Sequence, residues 1–151
     1  MTRIGLISDT HGLLRPEARR ALAGCDRILH AGDIGNADVL KALEDVAPVT
    51  AVRGNNDRGA WAEAIPDVQC LRIDGATIHV LHDLAQLEAD LATIRVVVSG
   101  HSHRPVIRED GAVLYVNPGS AGPRRFRLPV SVAHLTLRDG SVSARIVDLT
   151  P

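Results

Sequence analysis

Leu29-His30-Ala31-Gly32-Asp33 is a short apolar run that stops at a carboxylate. An apolar strand followed by glycine and aspartate brings an acid to the rim of a sheet. Four other runs end in the same manner. Ser8-Asp9-Thr10-His11-Gly12 follows Ile4 to Ile7, and Gly54-Asn55-Asn56-Asp57 follows Val49 to Val52. Leu81-His82-Asp83 follows Thr77 to Val80, and Gly100-His101-Ser102-His103 follows Val96 to Val98. Five strand ends bearing oxygen or imidazole donors predict one common site. Asp33 is its expected centre, shared between two metal ions.

Outward from that stretch, the first third alternates strand and helix. Strand Ile4–Ser8 leads to a helix over Arg15–Ala23, with Pro16 in its first turn and Gly24 as a left-handed cap. Strand Arg27–His30 leads to a helix over Ala37–Asp45, whose Val39, Leu40, Leu43 and Val46 form one apolar face before Pro48 stops it. Strand Val49–Val52 closes the unit. This order predicts parallel strands joined by right-handed crossovers, with the ligand site beyond their carboxyl ends. Asp9, Asp33 and Asn55 all fall there.

The second part carries three Asp-Gly hairpin signals, at Asp74-Gly75, Asp110-Gly111 and Asp139-Gly140. They pair Val68–Ile73 with Thr77–Leu81, Val106–Glu109 with Val113–Asn117, and Val130–Leu137 with Ser141–Leu149. Leu84, Leu87 and Leu91 predict a helix from about Leu84 to Thr93. Val96–Ser99, apolar and β-branched, reads as a central strand. A parallel half followed by an antiparallel half, in two packed sheets between helical layers, accommodates this order. Gly119 to Pro129 reads as a mobile loop.

At 151 residues the chain suits one domain, 1–151, with a substantial core. A formal net charge of −1 provides no basic field for a nucleic-acid backbone, and 2% aromatic residues provide few stacking platforms. No stable nucleic-acid complex is expected. Cys25 and Cys70 fit no metal or disulfide spacing and read as buried thiols of a reducing compartment. The chain enters a strand at Arg3, without a signal segment, and no run is long enough to span a bilayer, so the expected location is cytoplasmic without membrane association.

The donors themselves carry chemistry. Asp9 and His11, like His101 and His103, stand two residues apart past a strand, and extended backbone would point each pair to one side, toward one ion. Carboxylate, amide and imidazole donors suit Mn, Fe or Zn better than Ca or Mg, and the lack of thiolates excludes a structural cysteine-rich zinc site. Two such ions about 3.5–4 Å apart can clamp a phosphoryl group and ionise a bridging water.

As a set, Ser8-Asp9-Thr10-His11-Gly12, Gly32-Asp33, Arg53-Gly54-Asn55-Asn56-Asp57, His82, Ser99-Gly100-His101-Ser102-His103 and Asn117-Pro118-Gly119-Ser120 resemble the calcineurin-like metallophosphoesterases, most of all their small bacterial and archaeal phosphodiesterase branch. The resemblance runs from Met1 to about Pro123. It implies an α/β (α+β) fold, a four-layer αββα sandwich of two mixed β-sheets flanked by helices. It implies that Asp9, His11, Asp33 and His103 hold one metal, and that Asp33, Asn55, His82 and His101 hold the other. The implied cofactors are two divalent ions, manganese first, with iron, zinc or nickel as alternatives. The implied reaction is hydrolysis of a small phosphoester, first of all a phosphodiester, by a hydroxide that the metal pair activates. A phosphomonoesterase or nucleotide phosphatase on the same site is the alternative. A catalytically silent protein-binding scaffold, as in a retromer subunit of this fold, is the reading from another class; the complete set of seven ligands favours an enzyme. A homo-oligomer is compatible with the sequence.

Two positions depart from the family pattern. Many members carry a His after the metal-binding Asn, where it serves the leaving group. Here Asn56 can donate a hydrogen bond but no proton near neutral pH, which predicts a preference for esters with acidic leaving groups. Asp33, Asn55 and Asn56 are thus the expected catalytic set. His82, usually followed by Gly and His, is followed by Asp83 and Leu84. Arg124 and Arg125 are candidates for substrate charge recognition or for a solvated loop, and Arg53 for a substrate contact or an acid partner. His30 reads as a satisfied strand histidine or a residue behind the metals. His79 and His134 read as structural, Asn117 and Gly119 as shaping a turn, and Trp61 as an anchor for the loop after Asp57.

Overall fold

The computed structural model describes residues 1–151. Its first unit is β1 (Thr2–Ile7), α1 (Pro16–Leu22), β2 (Arg27–His30), α2 (Ala37–Glu44), β3 (Val49–Ala51) and a short α3 (Ala60–Glu63). Strands β1, β2 and β3 are parallel, as the alternation of strand and helix requires. The rest comprises β4 (Val68–Ile73), β5 (Ala76–Leu81), β6 (Val96–Val98), β7 (Val106–Asp110), β8 (Val113–Asn117), β9 (Ser131–Arg138) and β10 (Ser141–Asp148). The sheets have five strands each, ordered β10-β9-β1-β2-β3 and β4-β5-β6-β8-β7.

The hairpins form, and two of them use the expected turn: Asp74-Gly75 and Asp139-Gly140 both have positive φ at both positions, the type I′ pattern. In the middle hairpin Asp110 pairs with Val113, so the turn is Gly111-Ala112, with only glycine at positive φ. The two mixed sheets form as expected, but the expectation of an antiparallel second half needs correction. β5, β6 and β8 run parallel at the centre of the second sheet, and the last hairpin joins the first sheet. Each sheet therefore offers three parallel strands. Their carboxyl ends meet at one rim.

The main core lies between the sheets. Ile4, Leu6 and Leu29 face Ile78, Val80, Val96, Val98 and Val116 in a cluster of 15 buried residues. A second cluster of 10 packs Ile7 and Ile28 against Ala18 and Leu22 of α1 and Val39 and Leu43 of α2. Trp61 packs against its edge and anchors α3. The fourth layer is thin: only Leu81, Ile94, Val97 and Val113 form a buried cluster there. The helix expected over Leu84–Thr93 does not form. Two 3₁₀ turns, Leu84–Gln86 and Leu91–Thr93, stand in its place. The side chains of Asp83 and Asp90 accept from Ala85 N and Ala92 N, and such local bonds compete with a continuous helix. Cys25 is buried as expected, but Cys70 lies exposed on β4, where alternation turns it outward; both thiols are free.

Leu6 is fully buried between the sheets. Leu6→Ala is expected to lower unfolding free energy by roughly 2–5 kcal/mol in urea denaturation. A loss below about 1 kcal/mol would mean that the inter-sheet layer is not the principal core.

Candidate metal centre

The rim that the two parallel trios share collects all seven expected ligands. Asp9 and His11 follow β1, Asp33 follows β2, Asn55 follows β3, His82 follows β5, and His101 and His103 follow β6. The backbone there is not extended. Asp9, His11, Asp33, His101 and His103 all have positive φ, between 45° and 71°. Left-handed backbone is costly for residues other than glycine and concentrates at functional sites. It turns the chain sharply past each strand end, so residues two apart need not point the same way. His101 and His103, which extended backbone would aim at one ion, diverge to opposite sides of the centre, the split that the family resemblance implies.

One side gathers on Asp9. Its Oδ1 lies 3.4 Å from His103 Nε2 and 3.8 Å from His11 Nε2. Its Oδ2 is held by Ser8 Oγ at 2.7 Å and by the His101 backbone N at 3.1 Å. Gly100 makes this approach feasible, because a Cβ there would fall 2.0 Å from Ser8 Oγ and 2.7 Å from Asp9 Oδ2. The other side gathers on His82. Its Nε2 lies 3.3 Å from Asp33 Oδ2 and 3.3 Å from His101 Nδ1, which is 3.2 Å from Asn55 Oδ1. The His82 ring is fixed by its Nδ1, which donates to Ala31 O at 2.8 Å. Asp33 Oδ2 stands between the two sides, 3.7 Å from His11 Nε2.

Asn56 has a different place from the one expected. Exposed at the rim, it donates from its backbone N and its Nδ2 to Asp33 Oδ1 and Oδ2 at 2.9 and 3.0 Å, so the side chain braces the carboxylate. Sequence reasoning missed the residue beneath it. The buried Asp57 accepts from Ile34 N, Gly35 N and Gly54 N, tying the Asp33 loop to the Asn55 loop. The available signal was an acid three residues after Gly54, placed to accept back onto that glycine's N–H. Ser120 was also missed; its Oγ donates to Asp9 O.

The donor set fits divalent cations. Asp9 Oδ1 and His11 Nε2 are buried without hydrogen-bond partners. Leaving such groups unsatisfied costs about 1–3 kcal/mol each. Both aim into the cluster that Asp9 forms with His11 and His103, and a second cluster joins Asp9, Asp33 and His82. Burial pushes the Asp33 carboxyl up, but hydrogen bonds from His82 and Asn56 outweigh it and hold the group well below the usual carboxylate range. Burial also disfavours the charged His82, yet Asp33, Asp9 and the Ala31 carbonyl raise it overall. A proton and a cation thus compete for the space between His82 and Asp33. Burial keeps His103 below its ordinary value despite Asp9, with the Arg125 charge adding to the effect. A neutral imidazole is the form that ligates.

The remaining candidates separate. Arg125 acts on His103 through its charge, whereas Arg124 Nε is tied to Leu128 O in its own loop. Arg53 pairs with Asp67 at 3.0 Å and not with Asp57, and still lines the cleft beside Asn55 and His82. Asp83 Oδ2 is 4.0 Å from His101 Nε2. Asn117 Nδ2 donates to Gly100 O, and its Oδ1 accepts from Gly119 N, so the turn supports the His101 loop. His134 is structural, bonded to Ala21 O and Arg145, and His79 is buried within β5.

His30 is the satisfied strand histidine behind the centre. Thr10 Oγ1 donates to Ile34 O and accepts from His30 Nε2, so His30 Nδ1 is left to accept from Gly32 N. Protonating Nδ1 would break that bond beside Asp33. Burial pushes the ring down from 6.5 to about 3. Between those values the unfolded chain binds more protons than the folded one, so stability falls as pH falls through this window. Urea midpoints of the metal-free protein from pH 7 to pH 4 should therefore decline less steeply for His30→Asn than for the wild type. His79, His103 and His134 shift in the same direction, so part of the slope persists. Identical slopes would contradict the buried neutral His30.

The family model for the calcineurin-like phosphoesterase superfamily domain matches residues 2–140. A protein named probable metallophosphoesterase from Methanothermobacter thermautotrophicus is 35% identical, covering 95% of this chain and 91% of its own. A solved structure described as a novel archaeal phosphodiesterase is 26% identical with a TM-score of 0.78, covering 97% of this chain and all of that one. Chaetomium thermophilum Vps29 also has a TM-score of 0.78, over 99% of this chain and 97% of its own; at 18% identity it shares the fold. Fold, ligand cluster and family match converge: the chain belongs to the calcineurin-like phosphoesterase superfamily.

Proposed function

We propose that the protein is a metal-dependent phosphoesterase acting on small phosphodiesters. The observation that carries this reading is the convergence of seven ligand side chains on one rim, with Asp9 Oδ1, His11 Nε2 and His103 Nδ1 buried without a hydrogen-bond partner. We assign Asp9, His11, Asp33 and His103 to one divalent ion and Asp33, Asn55, His82 and His101 to the other, with manganese the first choice of metal. The position of Asp33 Oδ2 between His11 and His82 supports its sharing. Two bound ions supply Lewis-acid polarisation of the phosphoryl oxygens and acidify water for attack at phosphorus.

The protein's own residues set the rest. Asn56 helps keep Asp33 ionised by donating from its backbone N and its Nδ2, and burial keeps His103 neutral. Arg125 adds positive charge on the His103 side, suited to an anionic substrate. With Asn56 engaged on Asp33, no titratable side chain occupies the position that would protonate a poor leaving group. This supports diesters with acidic leaving groups over alkyl monoesters. The free thiols of Cys25 and Cys70 suit a cytoplasmic setting. No helix is long and apolar enough to cross a membrane. A protein-binding scaffold would not need the ligand set kept entire.

The test is to strip metal, restore Mn²⁺, Zn²⁺, Fe²⁺ or Mg²⁺ in turn, and assay matched aryl phosphate diesters and monoesters, with Asp33→Asn as control. The expected result is metal-dependent diester hydrolysis, led by Mn²⁺ and lost in the control. Inactivity with every metal and ester would favour the scaffold. A strong monoester preference would favour the phosphomonoesterase.

A further inference from the structure

Two 3₁₀ turns stand where an α-helix over residues 84–93 would lie, and they leave part of the outer face of the second sheet open beside the metal centre. A cavity of about 200 Å³ lies there, and His101, Asp83, Leu84, Val106, Arg108 and Tyr115 are among the residues that line it. The Arg108 guanidinium carbon sits 4.4 Å from the centroid of the half-buried Tyr115 ring. This is the chain's only tyrosine, among three aromatic rings of Phe, Trp and Tyr in all. On the other side of Asp83 and His101, a polar cleft of about 480 Å³ contains Asn55, His82 and Arg53. The two hollows share only Asp83 and His101. A diester with its phosphorus beside His101 has two alcohol arms, and the two hollows differ in what they offer them.

We propose that the Tyr115 cavity is the subsite for one alcohol arm of the phosphodiester, and that it selects an arm carrying a single planar ring, aryl or nucleobase. The inference rests on the phosphoesterase reading above. Size sets the first limit: about 200 Å³ is below the ~300 Å³ at which pockets for drug-sized ligands begin, so one ring system fits and a dinucleotide does not. Chemistry sets the second. The Arg108 guanidinium, stacked on the Tyr115 ring, makes a planar wall against which a ring can lie, and Leu84 and Val106 add apolar lining. An alkyl or glycerol arm has no such face and gains little there.

The test uses the metal-loaded protein and three p-nitrophenyl diesters, whose second alcohol is methanol, phenol or the 5′-hydroxyl of thymidine. All release the same p-nitrophenolate. Expressed as the ratio of kcat/KM to that of the methyl ester, the thymidine or phenyl ester should lead in the wild type. Tyr115→Leu should reduce that ratio roughly tenfold, chiefly through KM, and Tyr115→Phe should retain it. Arg108 is exposed on the edge strand β7, so Arg108→Gln carries the test if Tyr115→Leu fails to fold; a smaller loss in the same direction is expected. Ratios that Tyr115→Leu, or Arg108→Gln in its place, leaves unchanged would overturn the subsite alone. Failure of the wild type to turn over any ester would overturn the phosphoesterase reading and the subsite with it.

Discussion

Two carboxylates buried within 4.8 Å of one another are the constraint around which the structure is arranged. Asp9 is fully buried and Asp33 nearly so. Unpaired, two such charges would repel and at least one would take up a proton. The fold instead provides donors to both: Ser8 and the His101 backbone N to Asp9, and Asn56 with His82 to Asp33. These donors leave Asp9 Oδ1 without a partner and Asp33 Oδ2 shared between two histidines. The remaining requirement is positive charge between imidazoles, which is what divalent ions supply.

That requirement explains the backbone. Five of the seven candidate ligands sit in left-handed conformations, a strain on the order of 1–3 kcal/mol each. Strand pairing on one side and loop-to-loop bonds on the other sustain it. Asp57 is the chief of these, because its carboxylate joins the turn after β2 to the turn after β3 through three backbone N–H groups. Gly54 lets the two turns touch; a Cβ there would lie 2.1 Å from Asp33 N. The two trios of parallel strands deliver the ligands to within a few ångströms, and the turns set the final orientation.

Much of this was legible in the sequence. Alternating apolar runs and capped helical segments specified the first unit, since β1, β2 and β3 could bury both faces only as a parallel set between other layers. The five strand-end motifs named each donor that the rim brings together, because a donor placed just beyond an apolar run has few other places to go. What escaped was whatever depends on contacts distant in sequence. The parallel trio β5, β6 and β8 was hidden because hairpin signals report only on neighbouring strands. The spacing of Leu84, Leu87 and Leu91 suggested a helix that Asp83 and Asp90 break by bonding to their own turns. Asn56 read as facing the substrate because its link to Asp33 spans 23 residues. Extended geometry was the wrong guide for His101 and His103, whose positive φ no local pattern announces.

If Asp33 serves both ions, metal stoichiometry will show it. Calorimetric titration of the metal-free wild type with Mn²⁺ should show two sites per chain. Asp33→Asn should weaken both together, while His103→Ala should weaken one and leave the other near its wild-type affinity. An Asp33→Asn protein that keeps one site at full strength would mean that Asp33 serves a single ion.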